Sequence, residues 1–555
     1  MTRNIILKKI YDNKIFFYIS IFLFLLETLL VLISTVSIAP IVDYFNNENS
    51  FQYSKISNIF FKFGLSENII VIVSFFLIVF SLSYILKIVS LYFVLKFKYL
   101  FLIDINKSLY QSIVSANWNF IKKEKSGDLI NLIKTEIEKI GNIFMASAKF
   151  LSDSIQIFFL FVISTIINFK ISIIITSILI VLSIPFFLLR RHTLKYGNLS
   201  VITGNFLTEN LNNLIKNLKI IITNNLGDNY LSDYLKLYKQ HSKAAVYSQT
   251  IIGGLPQLIY PLGIFAFILS MIILNLDKSL VTELTVIFFI FYRIIPLTSS
   301  LISSFNSIVN VIPSLNQLQK IYIQCIANKS KDFGPKFNFL NENINVKNLS
   351  YSHDDSKKLF ENLNFTIKKN SIFGIVGSSG SGKSTLIDLI TGNLKVQSGS
   401  ICFDDLDISD FNLKNFRDKV STIGQDVPLF NDTIINNLFI DKNELKTDRV
   451  IEILEITGLN KIINDLEHQY ESFIGRGGIL LSGGQIQRVA IARALIRSPN
   501  ILILDEFTSS LDKDTETDFF NLISILKKKM TIIVITHSIE FHKYFDDHIN
   551  LDKKN

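Results

Sequence analysis

Residues 377–385 read GSSGSGKST, and residues 481–485 read LSGGQ. The first run fits the pattern G-x-x-x-x-G-K-[ST]. Gly377, Gly380 and Gly382 let the backbone curl so that successive N–H groups point at phosphate oxygens. Lys383 adds a positive charge at the terminal phosphates, and the hydroxyl of Ser384 can ligate Mg²⁺. Ser378, Ser379, Ser381 and Thr385 complete the phosphate-binding set. The context agrees. Residues 371–376, SIFGIV, read as a short buried strand, and KST opens a helix that continues over 386–391. Strand, glycine loop, helix is the setting in which this pattern binds nucleotide.

Working outward, the rest of the chain is not that of a soluble enzyme. Of its 555 residues 49% are hydrophobic. The mean hydropathy of +0.38 is high for a soluble protein of this length. The apolar residues concentrate before residue 320, in six runs near 15–41, 68–95, 143–168, 171–192, 255–275 and 281–305. Each is long enough to span a bilayer, which needs roughly 20 helical residues. Between the third and fourth runs only Asn168, Phe169 and Lys170 are available, whereas the second and fourth connections are long. MTRN runs into the first stretch without a small-residue cleavage site, so it reads as a retained span rather than a signal peptide. Cys325 and Cys402 have neither disulfide nor zinc spacing.

The net charge of +9 has a topological reading. Arg3, Lys8, Lys9 and Lys14 precede the first run. Lys107, Lys122, Lys123, Lys125 and Lys134 fill the second connection, and Arg190 and Arg191 open the fourth. This bias puts the N-terminus and both long connections in the cytoplasm, together with the domain after the sixth run. No nucleic-acid partner is expected. Glu27, Asp153 and Arg293 stand inside apolar runs, where charge is expensive. They read either as a polar translocation path or as structural pairs. For Arg293 both readings stand, with Glu27 as the partner in the second, and for Asp153 the structural one is favoured.

The run LSGGQ, following the phosphate loop in this order, resembles the signature of the ATP-binding cassette (ABC) family. It sets the chain apart from kinases, GTPases and helicases. The remaining family elements follow in sequence. Gln425 matches the loop glutamine at Mg²⁺ and the attacking water, and Asp505 the metal-holding aspartate. Glu506 matches the general base for water. Asp512, in SLD at 510–512, matches a loop crossing the dimer interface, and His537 the histidine at the γ-phosphate. The resemblance implies a six-helix transmembrane domain over 1–320, a linker over 321–340 and an α/β cassette over 341–555. The cassette would carry an antiparallel β subdomain and an α-helical signature subdomain. It implies ATP and Mg²⁺ as cofactors. Ser482, Gly483, Gly484 and Gln485 of one cassette would face the nucleotide of another, so a single cassette implies a homodimer.

There are departures from the family pattern. The adenine-stacking position falls on His353, with Tyr351 as the alternative. Arg476 stands where an acidic residue is common, Ile486 where a basic one is, and Phe507 where alanine is usual.

Short outer and long inner connections resemble the exporter-type membrane domain, whose spans run on as helices and whose inner connections turn through coupling helices. These would lie near 118–128 and 209–226. The implied function is an ATP-driven exporter or flippase in a bacterial inner membrane. Trp118 and Phe120 with SGDLIN at 126–131 and Thr135-Glu136, and FYRIIP at 291–296, resemble the subgroup that flips lipid-linked oligosaccharides. Multidrug or peptide export is the alternative, and a non-pumping channel or regulator a further one. An importer is disfavoured by the fused order.

Overall fold

The membrane half folds from long helices, most of them at or beyond the length a bilayer needs. In the computed structural model they are α1 (Lys14–Val36), α2 (Ile69–Ser115), α3 (Ile137–Ile167), α4 (Phe169–Leu188), α5 (Arg190–Lys216), α6 (Gly227–Gln249), α7 (Ile259–Leu274) and α8 (Val281–Ala327). The structure describes residues 14–46, 68–274, 281–331, 333–352, 358–425, 427–439, 447–475, 478–479, 481–507, 513–537 and 539–552. α2 and α8 have 47 residues each. At 1.5 Å per residue that is about 70 Å, against a hydrocarbon core of about 30 Å. Among the described residues six helical stretches are long and apolar enough to cross a membrane, and the chain is an integral membrane protein.

Local chemistry sets the joints. Asn68 caps α2 by accepting a hydrogen bond from the Ile70 amide at 2.9 Å. Asn168 alone turns α3 into α4, leaving the helical region and accepting from the Ile171 amide at 3.3 Å. The first long connection forms the short helices Trp118–Lys123 and Ser126–Asn131, and the second forms Leu218–Thr223. Gly127 is needed there, because a Cβ would lie 2.6 Å from that of Glu209.

The linker expected from residue 321 begins later. α8 continues to Ala327, because Leu318, Ile321 and Cys325 keep a helical period and stay buried against Phe101 and Leu109 of α2. The domain boundary seen in the contacts falls between Asn328 and Lys329.

The cassette unit holds β1 (Asn343–Ser352), β2 (Lys358–Lys368), β3 (Ile372–Val376), β4 (Ser398–Phe403), β5 (Leu406–Asp407), β6 (Val420–Ile423), β7 (Asp432–Thr433), β8 (Phe473–Ile474), β9 (Ile501–Asp505), β10 (Thr531–Thr536) and β11 (Asp547–Asn550). Among its helices are α9 (Lys383–Ile390), α10 (Gly483–Ile496) and α11 (Lys513–Leu526). An antiparallel sheet runs β2-β1-β4-β5, and a parallel sheet runs β11-β3-β10-β9-β6. The parallel strands are apolar throughout because both faces are covered. Ile501, Ile503, Ile533 and Ile535 pack toward β1, β4 and α9. Their neighbours Leu502, Leu504, Ile532 and Val534 pack toward α10 and α11. The strand period of two thus builds two cores back to back.

Candidate functional site

Four adjacent parallel strands deliver the expected groups at their carboxyl ends, where open α/β sheets bind ligands. The glycine loop follows β3, Gln425 follows β6, Glu506 follows β9 and His537 follows β10. Gln425, His537, Ser379 and Ser384 are exposed there, and Thr385 is half-buried. Gly380 and Gly382 take φ of +86° and +99°. At Gly382 a Cβ would also strike the Phe360 ring at 2.7 Å, so only glycine fits at the start of α9.

Lys383 is 7% exposed. Its ammonium donates to the carbonyls of Gly377 at 2.8 Å and Ser378 at 3.0 Å. It lies 3.5 Å from Oε1 of Glu506. The Ser381 hydroxyl is buried without a hydrogen-bond partner. Asp552 holds the other side of the loop. Its carboxylate accepts from the Ser378 amide at 2.8 and 3.0 Å and from the Ser378 hydroxyl at 2.7 Å. Those bonds hold the Asp552 carboxyl below the usual carboxylate range.

Burial pushes the Asp505 carboxyl up, the Glu506 charge adds to this, and Lys383 opposes it. Glu506 has φ +46°, an uncommon conformation for a residue with a side chain, and its amide donates to Ile535 O at 3.1 Å. A left-handed carboxylate between two buried strands is the kind of strain that functional sites hold. Phe507, the departure from alanine, is 2% exposed. It packs edge-on against Phe519 of α11 at 5.9 Å, and its carbonyl accepts from Gln487.

The loop and its surroundings fit a magnesium nucleotide. Glycines leave the backbone open, Lys383 is a buried cation, and the Ser381 hydroxyl is unpaired. The Ser384 hydroxyl and the Asp505 carboxylate are the hard oxygen donors that Mg²⁺ takes.

At the signature, Ser482 and Gln485 satisfy each other in a capping box. The Gln485 amide donates to Ser482 Oγ at 3.3 Å, and the Ser482 amide to Gln485 Oε1 at 2.8 Å. That fixes the start of α10 and leaves the early amides, Gly483 and Gly484 among them, as its donors.

Tyr351 is 7% exposed, in the core beneath β1 and opposite Phe360 of β2. That burial favours its reading as a packing residue over its reading as an adenine stacker. His353, Asp512 and Arg476 lie outside the described residues.

In the membrane unit, Arg293 does not pair with Glu27. Its guanidinium donates to Thr35 Oγ1, to Ser34 Oγ at 3.3 Å and to Val31 O at 3.4 Å. Glu27 accepts from Ser90 of α2 at 3.2 Å, and Asp153 from Ser300 of α8. All three line a cavity of about 690 Å³. Lys87 and Lys149 line it too, and the sequence reading passed over both. The signal was present, since each interrupts an apolar run.

A phosphate-loop ATPase joined to a bundle of membrane-spanning helices defines a class, the membrane transporters driven by nucleotide hydrolysis. Family profiles agree. The ABC transporter transmembrane region matches residues 17–305, and the ABC transporter cassette matches residues 360–509. The chain belongs to the ABC transporter family. It is 26% identical over 467 residues to a protein of Rickettsia typhi named as an export ATP-binding/permease protein, covering 81% of this chain and 79% of that one. It is 38% identical to an ATP-dependent lipid A-core flippase of Vibrio parahaemolyticus, over 38% of this chain and 36% of that one. A solved bacterial Atm1-family ABC exporter with ATP bound has the same fold, with a TM-score of 0.79 at 19% identity, covering 97% of this chain and 93% of that one.

Proposed function

We propose that the protein is an ATP-driven exporter of amphipathic substrates that works as a pair of identical chains. The carrying observation is one cassette, with its phosphate loop and signature helix intact, fused behind six membrane-crossing stretches. The Lys/Arg bias supports a cassette and N-terminus on the cytoplasmic side, in a bacterial inner membrane on this reading. Bound MgATP supplies the phosphoanhydride to be cleaved and a Lewis acid. Ser384, Asp505 and Gln425 hold the metal side. Lys383 and the loop amides hold the phosphates. Glu506 accepts the proton of the attacking water at its carboxylate, and His537 orients the γ-phosphate. Ser482 and the first amides of α10 would close the site from the second chain, and the family resemblance assigns Asp512 to that boundary and His353 to the adenine. Gln485 acts through the capping box.

The substrate reading shifts from the narrow expectation. The Rickettsia relative, similar over four fifths of this chain, is named for export. Likeness to lipid A-core flippases extends over about a third of it. Arg293, within the run FYRIIP that resembles the oligosaccharide-flippase subgroup, is hydrogen-bonded to α1. These observations favour a multidrug-, peptide- or lipid-type exporter over a dedicated oligosaccharide flippase.

The dimer is tested by mixing subunits. Lys383→Ala and Ser482→Arg break different halves of one composite site. Mixed dimers should regain ATPase activity that neither homodimer shows, through one intact site. A monomer with full activity rules the arrangement out.

A further inference from the structure

The cavity of the membrane unit holds charges of both signs in an unusual state. Glu27 and Asp153 are 4% and 6% exposed, and each accepts a hydrogen bond only from a serine of a neighbouring helix. Lys87 and Lys149 line the same chamber and are exposed to it. Among the described residues none of these four closes an ion pair within 4.0 Å. Arg293 is a separate case, since its guanidinium is hydrogen-bonded to α1. The chamber therefore offers two ammonium groups outside any ion pair, that of Lys87 lying 5.9 Å from the centre of the Tyr84 ring, and two carboxylates. Intramembrane charges are costly, and when unpaired they mark a substrate path.

A second pocket adjoins it. It has a volume of about 340 Å³ and shares Phe24, Val94 and Ser152 with the chamber. Its other walls are almost wholly apolar, with Ile21, Phe144 and Ile155 among them. The chamber, at about 690 Å³, is within the range of ligand sites, roughly 300–1,000 Å³. A charged room opening on an apolar one fits a molecule with a charged head and an apolar arm.

We propose that this double cavity is the cargo site, and that it takes a single-tailed amphiphile whose headgroup carries an anion and a primary ammonium together. Lys87 and Lys149 hold the anion, Glu27 and Asp153 hold the ammonium, and the tail enters the apolar pocket. A headgroup of one sign meets two groups of its own sign in the chamber, and like charges brought together repel. A headgroup of both signs meets a partner for each. The inference rests on the exporter reading and deepens it.

The test uses full-length protein in uncharged dodecylmaltoside micelles. ATPase activity is titrated with three probes of equal chain length: lysophosphatidylethanolamine, lysophosphatidic acid and a primary alkylamine. A zwitterionic dipeptide without a tail is the fourth arm. The wild type should respond to lysophosphatidylethanolamine at a half-maximal concentration at least roughly tenfold below the two single-signed amphiphiles, because each of those meets like charge in the chamber. Lys149→Met should then move the preference toward the alkylamine, and Asp153→Asn toward lysophosphatidic acid.

A wild type that prefers either single-signed amphiphile, or the dipeptide over the lysolipid, overturns the proposal without any variant. So do two variants that shift in the same direction. If the wild type hydrolyses ATP but none of the four probes changes the rate, the proposal falls and the exporter reading stands. If there is no ATP hydrolysis at all, the exporter reading falls first.

Discussion

Lys383 in the cassette and Lys149 in the membrane bundle are both helical lysines, and the fold treats them in opposite ways. Lys383 is buried, with two carbonyls within 3.0 Å and a carboxylate at 3.5 Å. Lys149 is exposed to a cavity and makes no ion pair among the described residues. A group that serves one fixed reaction must be positioned before the reaction starts, because reorganising it would add to the barrier. A group that meets varied cargo must be left unpaired until the cargo arrives. The cassette is therefore rigid in its chemistry, and the bundle is open in its chemistry.

The largest test of this contrast is at Glu506. Glu506→Gln keeps the shape and removes the proton acceptor. ATP turnover should fall by roughly 10²–10⁴, the usual worth of general-base catalysis, while nucleotide binding persists. Steady-state hydrolysis and nucleotide binding measured on one preparation decide it. Near-normal turnover would mean that the carboxylate 3.5 Å from Lys383 is only a structural counter-charge.

Next comes packing beneath the base. Phe507 is 2% exposed among Phe519 and Phe520. Phe507→Ala, which restores the family's usual residue, should destabilise the cassette by roughly 3–5 kcal/mol because the surrounding rings cannot collapse into the space. Faster amide exchange in β9 and α11, with the membrane helices unchanged, is the expected signature. No change in exchange would show that the cluster repacks.

These residues also mark where the sequence was legible. The phosphate loop was readable because its glycine pattern between a strand and a helix leaves few alternatives, whereas the signature and Asp505-Glu506 were readable through the family resemblance. The six crossings were readable from hydropathy alone. The run-on of α8 was not, because the polar stretch LNQLQK at 315–320 separates the short apolar run IYIQCIA at 321–327 from the sixth crossing. The capping box of Ser482 and Gln485 was written in the sequence as S-x-x-Q but was masked by the functional role of the same residues. Asp552 reaches Ser378 across 174 positions, and no local pattern records that contact. Lys87 and Lys149 were overlooked because a long aliphatic stem suits an apolar run, and its charged tip matters only once a cavity is seen.

Arg293 gives the third and smaller test. The sequence offered Glu27 as its partner, but Ser34 and Thr35 lie two helical turns farther along the same face of α1, about 11 Å away. As a staple between α1 and α8, its hydrogen bonds should be worth on the order of 0.6–1.7 kcal/mol each. Arg293→Met should lower the melting temperature in detergent by a few degrees and leave the half-maximal concentration of amphiphile-stimulated ATPase where it was. If stimulation is lost with no thermal change, Arg293 belongs to the cargo path, and the division between held and free charges in the bundle breaks down.

The smallest effect separates two carboxylates within the cassette crest, and its sign is fixed by how each is held. Asp552 is depressed in the folded state by its bonds from Ser378. Its contribution to stability is present above the ordinary unfolded value, about 3.9, and is lost as the pH falls from there through the folded value. Asp505 is raised by burial and by Glu506. Folding then opposes its ionisation, so stability declines as the pH rises from the unfolded value to the raised folded one and stays lower above it. At neutral pH without Mg²⁺, Asp505→Asn should therefore unfold at a higher temperature than wild type, and Asp552→Asn at a lower one. Adding Mg²⁺ with ATP should stabilise the wild type more than Asp505→Asn, because the variant lacks the anionic oxygen on the metal side while keeping Ser384, Gln425 and the phosphate loop. Scanning calorimetry of the full-length protein at neutral and mildly acidic pH reads all three comparisons. If both variants shift the same way, the crest holds its two acids alike, and the raised Asp505 is no sign of a site built for a cation.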